Sequence, residues 1–121
     1  MNSKRTLVLG ASTNPERYSN RAILSLQLHG HEVYAIGLRS GKIKDCEIVT
    51  DQPDFGNIDT VTVYINPDNQ HVFYDYIIKT NPKRVIFNPG SENLELENLL
   101  HEHGIHFIHA CTLVLLASNQ Y

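Results

Sequence analysis

The chain has 121 residues, 41% apolar and 19% charged, with a formal net charge of −3. That balance belongs to one globular domain with chain enough for a core, and it excludes a disordered tail. It also argues against a general nucleic-acid binder, which carries a basic stripe, and no apolar run approaches the length of a membrane span. Thr6 to Leu9 reads as the first strand, a short continuous apolar run of the kind buried on both faces. Ser19 is positioned to cap the first helix, with Ala22, Ile23 and Leu26 as its apolar stripe and Gly30 as its terminator. Glu32 to Ile36 is the second strand. Residues 41–57 read as loop with a short strand and a 3₁₀ turn. Thr60 to Ile65, rich in β-branched residues, is the next clear strand.

Asn66-Pro67-Asp68 is a helix start, with a capping amide, proline at the first helical position and an acid in the first turn. Val72, Tyr76 and Ile77 fall on one face of that helix, which ends before Pro82. Arg84 to Phe87 is a further strand, and Asn88-Pro89-Gly90 a turn. A helix from about Asn93 turns Leu96, Leu99 and Leu100 inward, places Glu92, Glu95 and Glu97 at its positive end, and closes at Gly104. His106 to His109 is the last strand, and Thr112 to Ala117 a short final helix. Strands alternating with helices predict a single α/β domain over residues 1–121: three Rossmann-like layers, a mostly parallel sheet with helices on both faces. Lys4 and Arg5 precede too few apolar residues for a signal-peptide core, and two cysteines do not make a disulfide framework, so the cytoplasm is the expected compartment.

Ligands of such a sheet lie beyond the carboxyl ends of the strands, where strand order reverses. Four segments are expected there: Gly10-Ala11-Ser12, Ile36-Gly37-Leu38-Arg39, Asn66-Pro67 and Asn88-Pro89-Gly90-Ser91. Gly10 permits a tight turn and close approach of the backbone to a ligand. Ser12, Thr13 and Asn14 add polar groups, the first helix adds free N–H groups, and Arg21 adds positive charge. A lone glycine turn is weak evidence, and it also serves simply to join strand to helix. The second strand ends without the acid that holds an NAD ribose. Arg39, Lys42 and Lys44 instead suit a ribose phosphate, as in NADP or coenzyme A, or form a solvated basic loop.

The opening VLGASTNPERYSNRA with LHGHEVYAIG, the later NPGSENLELENLLHEHGIHFI and the tail HACTLVLL together resemble the small bacterial CoA-binding domain proteins. These are relatives of the CoA-binding domain of succinyl-CoA synthetase. The resemblance spans nearly the whole chain and implies that coenzyme A, or an acyl-CoA, is the ligand. It implies that Gly10, Ala11 and Ser12 cradle the coenzyme phosphates. Asn14, Pro15 and Arg21 match the family's first loop and helix, and Arg39 matches a basic residue after the second strand. Asn66-Pro67 and Asn88-Pro89-Gly90 match the loops closing over the adenine and pantetheine parts. Gly37-Leu38 departs from the Asn-Pro pair that the family commonly carries there.

Catalytic equipment is not visible, so the reading is a binding protein for a small molecule rather than an enzyme. The cluster HEHGIHFIH lacks metal-ligand spacing, and neither a Gly-x-Ser-x-Gly elbow nor a triad can be assembled. Cys111 is the one candidate redox thiol, placed before a helical turn and matching a cysteine of the family pattern; the alternative is a buried cysteine packing as a small apolar group. Two other readings stand beside CoA binding: an NADP-dependent oxidoreductase fragment, and an interaction module that has lost its ligand.

Overall fold

A strand whose two faces are both apolar is stable only inside a sheet covered on both sides. The computed structural model, which describes residues 3–121, places Thr6–Ala11 (β1) at the centre of such a sheet. The other strands are β2 (Val33–Gly37), β3 (Gly41–Ile43), β4 (Cys46–Val49), β5 (Thr60–Val63), β6 (Arg84–Phe87) and β7 (His106–His109). Their order is β3-β4-β2-β1-β5-β6-β7, and every pairing is parallel except that of β3 with β4. The helices are α1 (Tyr18–Leu28), α2 (Tyr74–Thr80), α3 (Leu94–Glu102) and α4 (Thr112–Ala117).

Alternation along each strand divides the core in two. Leu7, Leu9, Val61, Val63, Val85 and Phe87 face α2 and α3, where Ile77, Leu96 and Leu100 meet them. Val8, Ala35 and Ile48 face the other way, onto Ile23 and Leu26 of α1 and Leu116 of α4. The amino-terminal edge of the sheet is closed by side chains. Arg5 donates to Glu32 at 2.6 Å and to the Phe55 carbonyl at 2.8 Å. The Tyr121 ring lies 4.5 Å from the Arg84 guanidinium, and its hydroxyl bonds Thr6 at 2.6 Å. The carboxyl-terminal edge carries the loops.

Several expected boundaries shift, each for a local reason. Ser19 does not cap α1; it is buried in the first turn, and Arg17 stands at the cap position without a side-chain bond. The preceding loop sets the start instead, since the Asn14 carbonyl accepts from the Arg17 N–H and the Arg17 carbonyl from Asn20 and Arg21. Asn66 does cap the Pro67 turn, its side chain accepting from the Asp68 N–H at 3.0 Å. The helix beyond it breaks, however, into 3₁₀ turns at Pro67–Asn69 and His71–Phe73 before α2 begins. The tighter 3₁₀ turn rotates Val72 out of the expected stripe and leaves it 59% exposed. Leu99 of α3 is half-buried, whereas Leu96 and Leu100 are fully enclosed. Residues 41–49 form an antiparallel hairpin, with Lys42 opposite Glu47, in place of loop and one short strand.

Two leucines two residues apart on α1 test the layering. Leu26 is fully buried and Leu28 is 86% exposed. Leu26→Ala is expected to lower unfolding free energy by about 2–5 kcal/mol. Leu28→Ala should change it by less than about 0.5 kcal/mol. Urea melts of both variants read this directly, and equal losses would contradict the placement of α1.

Candidate functional site

Among the six parallel strands β1 is the point where order reverses: β2 and β4 follow on one side of it, β5, β6 and β7 on the other. The crevice at such a point opens beyond the carboxyl ends of β1 and β5. Two glycines let the strand ends close into a floor there. β1 carries a bulge between Leu9 and Ala11, and Gly10 takes φ 94°. A Cβ on Gly10 would stand 3.1 Å from the Tyr64 carbonyl group and from the Ile65 side chain. On the other side, Ala11 pairs with Gly37, where an added Cβ would run into the Ala11 carbonyl oxygen. Glycine at 37 therefore lets β1 and β2 end in contact.

The loop from Ser12 to Arg17 rests on that floor. Its form is fixed by short-range bonds: Ser12 Oγ accepts from the Asn14 N–H at 3.1 Å, and Asn14 Oδ1 from the Glu16 N–H at 3.0 Å. Asn20, buried in the first turn of α1, donates through Nδ2 to the Ser12 carbonyl at 2.9 Å. These bonds leave the Tyr18 and Ser19 N–H groups unused at the positive end of the helix. Thr13 packs its methyl against Gly41 of the hairpin, at 2.5 Å from where a Cβ would be. Pro15 is exposed in the loop, and Arg21 is exposed with its guanidinium 5.5 Å over the Tyr18 ring. Leu38 and Arg39 are exposed immediately beyond Gly37.

The loops after β5 and β6 complete the edge. Asn66 and Pro67 form the capped turn, and Asn88-Pro89-Gly90-Ser91 closes as a turn with Gly90 at φ 93° and the Ser91 N–H donating to the Asn88 carbonyl at 2.9 Å. Asn88 itself is buried, and its side chain is fully engaged within the protein. Nδ2 donates to Thr62 Oγ1 at 2.6 Å and to the Val63 carbonyl at 2.9 Å, while Oδ1 accepts from the Thr112 N–H at 2.9 Å. It reaches the edge by its backbone, and its amide ties β5 to the start of α4. Thr62 and Thr112 are hydrogen-bonded to each other at 2.8 Å. Burial holds the Tyr64 phenol, between these groups and Cys111, above its ordinary pKa, so it adds no negative charge to the crevice.

Asn20, Gln70, Asn93 and the Thr62–Thr112 pair are the polar groups that strand and helix patterning misses. Asn93 caps α3, Gln70 joins two 3₁₀ turns, and the others are polar residues buried inside elements, which is the signal that their side chains are paired within the protein. The histidines take separate parts: His31 accepts from the Lys4 N–H at 2.9 Å, His103 Nδ1 lies 2.9 Å from the Leu99 carbonyl, and His109 Nε2 lies 3.0 Å from Glu97. Among the described residues no group of three or more His, Cys, Asp or Glu side chains is placed to hold a metal ion. Two open hollows of about 570 and 530 Å³ lie away from the crevice, the first beside Tyr74, Glu95 and Glu102, the second beside Gln27, His31 and Lys44. A phosphate held by backbone amides needs an edge of this kind rather than an enclosed cavity.

The sequence pattern of the CoA binding domain matches residues 4–117. The chain belongs to that CoA-binding domain family. A crystal structure of a protein described only as uncharacterized shares 45% identity over the whole of both chains, with a TM-score of 0.96. A hypothetical protein from Pyrococcus horikoshii OT3 shares 22% identity over 98% of this chain and 84% of its own, with a TM-score of 0.86. The dinucleotide forming acetyl-coenzyme A synthetase 1 of Ca. Korarchaeum cryptofilum, in complex with phosphate and ADP, matches 91% of this chain with 26% of its own, at 18% identity and a TM-score of 0.70. The last two likenesses are of fold. No curated protein matches the chain. No helix of the described residues is long and apolar enough to cross a membrane.

The two thiols of this CoA-binding domain differ in access. Cys46 is buried and its pKa is pushed up to about 11, whereas Cys111 is partly exposed at the cap position of α4. The Thr112 N–H beside it already donates to Asn88. A maleimide added to the folded protein should label Cys111 and leave Cys46 untouched, as read by peptide mass spectrometry; labelling of Cys46 without unfolding would contradict its burial.

Proposed function

We propose that this chain binds coenzyme A or an acyl-CoA across the carboxyl edge of β2, β1 and β5. The observation that supports the reading is the strand-end turn at the switch point, where Gly10 and Gly37 let β1, β2 and β5 close together beneath the exposed loop of residues 13–17, in a chain of the CoA-binding domain family. In this reading Gly10, Ala11 and Ser12 cradle the diphosphate, with the Tyr18 and Ser19 N–H groups offering further donors. Asn14 and Pro15 shape the loop, and Arg21 contributes charge at the helix start. Gly37 lets β2 end against β1 beside the ligand, and Arg39 pairs with the 3′-phosphate as a charge-assisted contact. The turns at Asn66-Pro67 and Asn88-Pro89-Gly90 border the adenine and pantetheine parts, the second through its backbone.

Cys111 extends the reading to the thiol end. In the presence of a thiol oxidant such as diamide, the coenzyme thiol and the Cys111 thiol would each lose a proton and together two electrons to the oxidant, forming one mixed disulfide. The partial exposure of Cys111 supports this role, and Cys46 is enclosed.

NADP is the competing ligand, since it too carries a ribose phosphate. Isothermal titration with coenzyme A, its analogue lacking the 3′-phosphate, and NADP separates the readings. Coenzyme A should bind and NADP should not. Arg39→Ala should weaken coenzyme A by about tenfold while leaving the dephosphorylated analogue unchanged. Equal binding of NADP, or equal losses for both coenzyme forms, would count against this assignment. Gly10→Val is a poor test, because φ 94° and the Tyr64 contact strain any side chain there.

A further inference from the structure

Gln70 has 1% of its surface exposed, an unusual place for a side chain that carries two donors and an acceptor. Every one of those groups is used. Nε2 donates to the Ile65 carbonyl at 2.8 Å and to the Ser91 carbonyl at 2.7 Å, and Oε1 accepts from Asn93 Nδ2 at 3.0 Å. Ile65 belongs to the loop after β5, Ser91 to the turn after β6, and Asn93 caps α3 through Leu96. One buried amide therefore spans the two loops that carry Asn66-Pro67 and Pro89-Gly90. No backbone hydrogen bond joins these two loops directly among the described residues. Asn93 is held in turn by Tyr74 at 2.9 Å and by Glu97, which accepts its N–H at 3.0 Å.

We propose that Gln70 is a positioning residue for the coenzyme: it sets the spacing of the two loops that border the adenine and pantetheine parts. This rests on the CoA reading above. An apolar residue would leave the buried Ser91 carbonyl and the part-buried Ile65 carbonyl without this donor, and the loops would separate to reach water. A loop already held at the right spacing does not have to be ordered by the ligand, so the loss appears in affinity as well as in stability.

Glutamate at position 70 separates positioning from bulk stability, because its donor depends on pH. Ionised, it presents only acceptors to the Ile65 and Ser91 carbonyls. Protonated, it keeps the shape of glutamine and regains one O–H donor. Burial and two facing carbonyls favour that neutral form, so its pKa is raised and binding should recover as pH falls. The titratable groups around the network are Asp68 and His71 beside Gln70, Glu92 in the turn after β6, and Tyr74, Glu95, Glu97 and His109; the wild-type chain measured at the same pH corrects for them and for the ligand phosphates.

The experiment is titration of coenzyme A into wild type, Gln70→Leu and Gln70→Glu at about pH 7.5 and about pH 5.5, well below each melting temperature. Gln70→Leu should bind about tenfold more weakly at both values. Gln70→Glu should match that loss at the higher pH and recover most of it, relative to wild type, at the lower. Variants that bind like wild type, or a Gln70→Glu loss that ignores pH, would overturn the positioning role while leaving the coenzyme reading intact. No binding by wild type would overturn both. Should Gln70→Leu not fold, the pH comparison on Gln70→Glu decides alone.

Discussion

The meeting of β1 with β5 at Gly10 is the constraint on which the rest depends. The strand must end, turn toward α1 and still let Tyr64 bond back to it, since the Tyr64 N–H donates to the Leu9 carbonyl at 2.9 Å. Only a residue without Cβ passes at φ 94° with the Tyr64 carbonyl 3.1 Å from the position a Cβ would take. Gly37 repeats the condition on the other flank, where β2 closes against Ala11. The consequence is a close meeting of three strand ends, at the place where strand order leaves a crevice. Gly10 and Gly37 thus shape both the fold and the floor of the crevice.

Around that edge the protein holds its loops with buried amides rather than with apolar packing. Asn20 fixes Ser12, Asn88 fixes the ends of β5 and α4, and Gln70 fixes the turns after β5 and β6 to each other. Such groups are costly to bury unless their donors and acceptors are paired, and those of Asn88 and Gln70 are. Directional bonds hold a loop at a defined distance, which apolar contacts do less well. The opposite edge uses another device: Arg5, Arg84 and Tyr121 close it with charge, carbonyls and an aromatic ring.

The layered fold was legible because the central strands are short continuous apolar or β-branched runs and the helices between them carry apolar stripes. Arg84 to Phe87, His106 to His109 and Thr112 to Ala117 fall where the sequence places them. The start of α1 was not legible, because Ser19 looks like a cap while the loop's own carbonyls do the capping. The segment after Asn66 carries an orthodox helix signal, and Gln70 explains the break: its backbone closes one 3₁₀ turn while its side chain is drawn inward. The hairpin at 41–49 was obscured because its strands are only three and four residues long, too short for their alternation of Ile43, Cys46 and Ile48 with Lys42 and Glu47 to stand out. The four segments of the crevice were readable from topology. Which side chains stay exposed at that edge was not, since Asn88 and Gln70 are buried by partners distant in the chain.

The central claim is that the coenzyme lies on the Gly10–Gly37 edge. Nitrogen–proton correlation spectra recorded during a titration with coenzyme A test it residue by residue. The account expects the largest amide shifts at Gly10 to Asn14, Tyr18, Ser19, Gly37 to Arg39 and Gly90, with Arg5, Lys83 and Tyr121 at the far edge unmoved. Shifts centred on the far edge or on the hollow beside Tyr74 and Glu102, or no shifts at all, would contradict it.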